Sequence, residues 1–383
     1  MALKMVRQRW ALLFACLSMF VLGMADSIRG PLFPELLNYF KLSNSEGSIS
    51  FAVAAGAAFV GNVASGHVFQ FLNLSRALCL SLFLMGMGLF LMGVAPSYSF
   101  FLAATVVFGL SLGMVQVTQN VIVTESVEPS QKSKALSGLH TLFGLSSLIA
   151  PLVASYSPIV FGPWRSAYFI TSALAFVITI GAVIVKAEPR FAFYKIAEKP
   201  AGTRNSFWTL LVFGGVLAFY VVAEIMITTR LALYMRTYFN LDLESSSLYV
   251  TCLFIFLLLG RLIFTFKSFK SSYRTQLSFS LVLSILFLIL GLKFHPIFLV
   301  LTGLSMAPYY PISLAYISEQ TGVNSRQFIT FAISVKSFCI IAMHLGVGYL
   351  TDHFGLINAL GAGLVAFVLA LLCVHFHPKT YST

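Results

Sequence analysis

Twelve apolar runs of about 20 residues or more follow one another along this chain, and a run of that length is what a helix needs to cross the hydrocarbon core of a bilayer. They fall near 8–38, 46–72, 75–94, 98–126, 132–160, 164–187, 205–238, 244–266, 273–292, 295–319, 326–352 and 355–376. In hydrocarbon every peptide group must be paired within the protein, and a single apolar run of this length pairs its own groups as a helix. Only 9% of the residues are charged, against about 25% in a soluble domain. A multi-pass, all-α membrane protein follows. The first run is too long for a signal peptide and lacks a small-residue cleavage site, so it is expected to be retained.

Lys and Arg set the expected orientation. With the N-terminus in the cytoplasm, sixteen of the 24 basic residues fall in inner loops and tails and four in outer loops, a bias that places both termini inside. The same bias explains the net charge of +12 without nucleic acid, for which no basic arm is present. The longest polar break, Lys186 to Asn205, divides the runs six and six. The expected layout is a six-helix bundle over 1–187, a cytoplasmic linker over 188–204 and a second six-helix bundle over 205–383, with a site near the midplane.

Charges inside such runs are costly and mark pathways. Asp26 and Arg29 lie three apart on one helix face, in a segment weakened by Gly23, Gly30, Pro31 and Pro34. A broken helix at membrane depth is tolerated mainly where it lines a cavity. Glu224 lies in the middle of the seventh run and Lys336 in the eleventh; Arg230, six residues beyond Glu224, should point elsewhere. Gln116, Gln119 and Asn120, at i, i+3 and i+4 of the fourth run, offer neutral donors and acceptors to a polar solute. Tyr309 and Tyr310, with Trp208 and Tyr220, are candidates for stacking on an apolar solute face. Five cysteines scattered singly match neither a disulfide framework nor a zinc site. No phosphate-cradling loop and no nucleophile elbow appear, so no enzyme activity, no cofactor and no resident metal are expected.

Several strings, in order, resemble the fucose–proton symporter family of the major facilitator superfamily. They are Asp26 to Leu37 with its Leu32-Phe33-Pro34 turn, Gly113 to Asn120, Tyr220 to Glu224, Gly260-Arg261, Tyr309-Tyr310-Pro311 and Gly348 to Gly355. The resemblance implies the major facilitator fold and secondary transport. It departs at two places: Gly30 stands where the family's helix-1 aspartate would align, and Gln116 where its helix-4 glutamate would. The superfamily's loop signature between helices 2 and 3 keeps Gly66, Asn73 and Arg76 but has Gln70 in place of the acid.

The expected function is secondary active transport of a small polar, sugar-like solute by alternating access, coupled to protons through Asp26 or Glu224. The substrate set is Asp26, Arg29, Gln116, Gln119, Asn120, Glu224, Tyr309, Tyr310 and Lys336. The expected setting is a monomer in a bacterial inner membrane. If every acid pairs with a base, a neutral sugar fits better; a base left over favours an organic anion. Multidrug export fits less well because of the bases, and metal export would need Asp26, Glu224, Cys339 and His344 to converge.

Overall fold

A computed structural model describes residues 2–128, 131–185, 207–266 and 270–376. The helices are α1 (Ala2–Ser27), α2 (Arg29–Phe40), α3 (Asn44–Phe71), α4 (Leu74–Val94), α5 (Tyr98–Ser126), α6 (Lys132–Phe161) and α7 (Ser166–Val185) in the first half of the chain. The second half holds α8 (Phe207–Phe239), α9 (Leu243–Phe266), α10 (Tyr273–Lys293), α11 (Ile297–Met306), α12 (Tyr309–Thr321), α13 (Ser325–Phe354) and α14 (Leu356–His375). Among the described residues twelve spans are long and apolar enough to cross a membrane, α1 with α2 forming one and α11 with α12 another. Their ends lie within a few residues of the apolar runs read from the sequence. Basic loop residues 186–206, which include the expected linker 188–204, lie outside the described residues.

Two spans are interrupted, and proline is the cause in both. Between α1 and α2 the ladder still bridges Ile28, whose N–H donates to Met24 at 3.0 Å and whose carbonyl accepts from Leu32 at 3.2 Å. Pro31 and Pro34, however, have no N–H to offer the carbonyls of Ser27 and Gly30. Between α11 and α12, Ala307 and Pro308 form the joint, with Pro308 at the N-cap of α12. Other junctions are very short. Asn73 caps α4 by accepting from the Arg76 N–H at 2.8 Å. Gly355 alone separates α13 from α14, at φ +83°, a conformation that favours glycine.

By internal packing the chain divides into one unit of residues 1–32 and 53–198 and another of residues 33–52 and 199–383. In the first unit α4 lies against α5 and α7, and α1 against α5, α6 and α7. Small residues let α3 and α5 approach closely: a Cβ added at Gly113 would stand 2.0 Å from the Ala58 carbonyl oxygen, and one at Gly61 would stand 2.1 Å from that of Leu110. In the second unit α8 is the central rod, packed against α9, α12, α13 and α14. Phe213, Val216, Leu217, Ala218 and Ala223 on it are all fully buried.

The α3–α5 approach is testable. Gly113→Ala should cost about 1–3 kcal/mol through overpacking against backbone, seen as a lower thermal unfolding midpoint of the detergent-purified protein. Gly66→Ala, where an added Cβ meets nothing within 4 Å, should leave the midpoint unchanged.

Candidate functional site

In the first unit the polar centre is the broken first span. Asp26 lies in the last turn of α1 and Arg29 begins α2, and the Arg29 Nη2 donates to Asp26 Oδ1. The guanidinium also lies 5.2 Å from the centre of the Phe108 ring on α5, so it is held by a carboxylate and an aromatic face together. The Arg29 side chain is 14% exposed and that of Asp26 39%, which leaves the acid the more accessible partner. Beside them the Ser27 hydroxyl donates to Ser147 Oγ on α6 at 2.9 Å.

The three amides of α5 separate by depth. Gln119 is fully buried, accepts from Ser18 at 2.8 Å and donates to the Met19 sulfur at 2.8 Å, so it ties α5 to α1. Gln116 and Asn120 are half-buried and share the more accessible face. Asn120 donates to the Gln116 carbonyl at 2.8 Å, and its own Oδ1 is buried with no donor in reach. A carbonyl oxygen left that way is ready to receive a hydroxyl.

In the second unit the polar centre is Glu224 on α8. Its Oε1 stands 3.9 Å from Nη2 of Arg261 on α9, a loose ion pair whose side chains are 16% and 33% exposed. The Lys336 ammonium on α13 also acts electrostatically on Glu224, and lies 5.9 Å from the Tyr310 ring centre. Tyr220, one helical turn before Glu224, donates its hydroxyl hydrogen to the Met306 carbonyl at 2.8 Å.

The aromatic candidates divide. Tyr220 and Tyr309 stack on each other, 4.1 Å between centroids, and Tyr309 donates to the Val216 carbonyl at 2.9 Å. Both are fully buried and serve the interior of this unit. Tyr310 is half-buried beside Lys336, while Trp208 is 72% exposed at the start of α8. Among the described residues no three of the His, Cys, Asp and Glu side chains gather to hold a metal ion.

Arg261 was not among the candidates because pairing it with Glu224 requires knowing how α8 and α9 pack. The one sequence signal was its place in the Gly260-Arg261 string. Gly260, beside it, lets α9 approach the joint between α11 and α12: a Cβ there would stand 2.5 Å from the Ala307 Cβ. Arg230 does point away from Glu224. It is 1% exposed, donates from Nη2 to Ser48 Oγ at 2.7 Å, and lies 4.1 Å and 5.1 Å from the ring centres of Phe33 and Phe51.

A fold of twelve spanning helices with a polar centre in each unit defines a membrane transporter. The family description of the Major Facilitator Superfamily matches residues 15–335, and the chain belongs to that superfamily. It is 19% identical to a TsgA homolog of Buchnera aphidicola over 349 residues, 90% of this chain and 89% of that protein. It is 28% identical to sodium-dependent glucose transporter 1A of Mus musculus over 133 residues, 35% of this chain and 31% of that one. Its matches to two further curated relatives run over about a third of their length. Among solved structures, a variant of the E. coli fucose:proton symporter FucP superposes with a TM-score of 0.63 at 16% identity, over 96% of this chain and 98% of that one.

The interior role of Tyr309 predicts a specific outcome. Tyr309→Phe removes one buried hydrogen bond while keeping the ring stack, and should cost about 1 kcal/mol, read as a lower thermal midpoint.

Proposed function

We propose that this superfamily member is a secondary active transporter that carries a small polar, sugar-like solute together with protons by alternating access. The observation that carries the reading is Glu224: a membrane-embedded carboxylate held only loosely, at 3.9 Å, by Arg261, with a tyrosine hydroxyl alongside. Protonation removes its charge, weakens its pairing with Arg261 and lets the carboxylic acid donate to the Tyr220 oxygen while Tyr220 keeps its bond to Met306. Deprotonation restores the pair. A carboxyl group with two such stable arrangements can bind a proton on one side of the membrane and release it on the other. Asp26 with Arg29 is a second intramembrane ion pair, and Gln116 with Asn120 supplies hydroxyl-matching amides.

The sugar-like solute is supported by the order of fucose-symporter-like strings, by the glucose transporter and fucose symporter among the relatives and neighbours, and by the pairing of both acids with bases. The protein then works as a monomer in a bacterial inner membrane with both termini in the cytoplasm, its bundles 1–187 and 205–383 moving about the linker 188–204.

A second reading, transport of an organic anion, is favoured by one observation. Lys336 carries no carboxylate partner among the described residues and meets only the Tyr310 ring and the field of Glu224. Protonated Glu224 would then leave the Lys336 ammonium to a solute carboxylate, so that proton and anion enter together.

In proteoliposomes, Glu224→Gln should abolish uptake driven by a proton gradient while sparing counterflow exchange; driven uptake at the wild-type rate removes Glu224 as the coupling group. Arg29→Ala should slow uptake by leaving Asp26 an intramembrane acid without its cation, and uptake at the wild-type rate excludes the pair from the transport path. A thermal-shift screen of the purified protein separates the two solute classes, because a ligand that binds the folded state raises its midpoint. Stabilisation by sugars supports the first reading and stabilisation by carboxylates alone the second.

A further inference from the structure

The second unit includes a helical hairpin, residues 33–52, formed by the end of α2, a turn and the start of α3. The turn carries Lys41 at φ +54° and a capping box, with the Ser43 N–H donating to Glu46 Oε2 at 2.8 Å and the Glu46 N–H to Ser43 Oγ at 3.2 Å. The rest of α2 and α3 belongs to the first unit, so any parting of this end of the transporter must lift the hairpin from α8 and α13 or carry it along.

The hairpin's outer contacts on α8 and α13 are well matched. Arg236 pairs with Glu35. Asp352 on α13 accepts from the Asn44 N–H at 2.9 Å and the Ser45 N–H at 2.7 Å, the free amides at the start of α3. Gly348 leaves room for Ser48: a Cβ there would stand 2.6 Å from its hydroxyl.

The centre is not matched. Arg230 is buried there beneath Phe33, Ser48 and Phe51, which are themselves at most 3% exposed. No carboxylate pairs with it among the described residues, and its Nη1 has no acceptor. Two ring faces and one hydroxyl offset part of the lost hydration, but a desolvated cation without a counter-charge is costly, and an apolar side chain of the same size often holds such a place better. A contact required only to stay shut gains nothing from it. A contact required to open gains a guanidinium whose hydration returns when the hairpin lifts.

We propose that Arg230 is a built-in destabiliser of the docked hairpin: its buried, uncompensated charge keeps residues 33–52 poised to leave α8 and α13 during the transport cycle. The inference rests on the transporter reading, but its test does not depend on the solute or the coupling ion. Hydrogen–deuterium exchange of backbone amides in peptides covering 42–52 is measured on the intact purified protein, because it reports local opening directly. Arg230→Met should slow that exchange at least tenfold and raise the thermal midpoint. Arg230→Gln, which keeps polar donors without the charge, should also slow it and serves if the methionine variant does not fold. An anchoring arginine gives the opposite sign. Exchange that is faster than wild type, or unchanged, in either folded variant overturns the proposal.

Discussion

A charge carried into hydrocarbon is costly without a partner, and the ion pairs Asp26–Arg29 and Glu224–Arg261 are the points on which the proposed transport cycle rests. Each lies where helix geometry has been relaxed or pressed close. The first straddles the proline-induced break between α1 and α2, and the second joins α8 to α9 beside the tight Gly260 contact. Neither pair is sealed. Asp26 keeps 39% of its side chain exposed, and the Glu224 pair is stretched to 3.9 Å. A tight, fully enclosed bridge would hold helices together but would exchange no proton. The Glu224 pair has the looseness that the proposed coupling role asks of it.

Most of the fold was legible in the sequence because the bilayer leaves so few options. Length and hydropathy alone located twelve spans, since no other backbone arrangement satisfies its own hydrogen bonds in lipid. The break in the first span was also readable, from Pro31 and Pro34. The joint at Ala307-Pro308 had the same kind of signal in Pro308, obscured because the apolar run continues unbroken on both sides. The assignment of residues 33–52 to the second unit could not be read at all. It depends on which helices meet, and nothing in a one-dimensional pattern of apolar residues records that.

The site was legible in its residue types and less so in their directions. Helical spacing placed Gln116, Gln119 and Asn120 on one face, and that face is real, but it is wide enough for Gln119 to turn into the α1–α5 seam while its neighbours remain accessible. Tyr309 and Tyr310 are adjacent in sequence and about 100° apart around the helix, so one is stacked in the interior and the other lies near Lys336. Arg261 shows the limit most plainly: its value lies wholly in a partner 37 positions away on a neighbouring helix, a relation that spacing rules along one helix cannot supply.

The length and continuity of α8 have a mechanical consequence. Glu224 and Arg230 share this one uninterrupted rod, separated by roughly 9 Å of rise and pointing to different sides. No proline or glycine lies between them to kink the helix or absorb torsion. On the proposed reading the same shaft therefore joins a proton-sized event on one flank to a clamp on the other, as a camshaft times two valves with no linkage beyond its own stiffness.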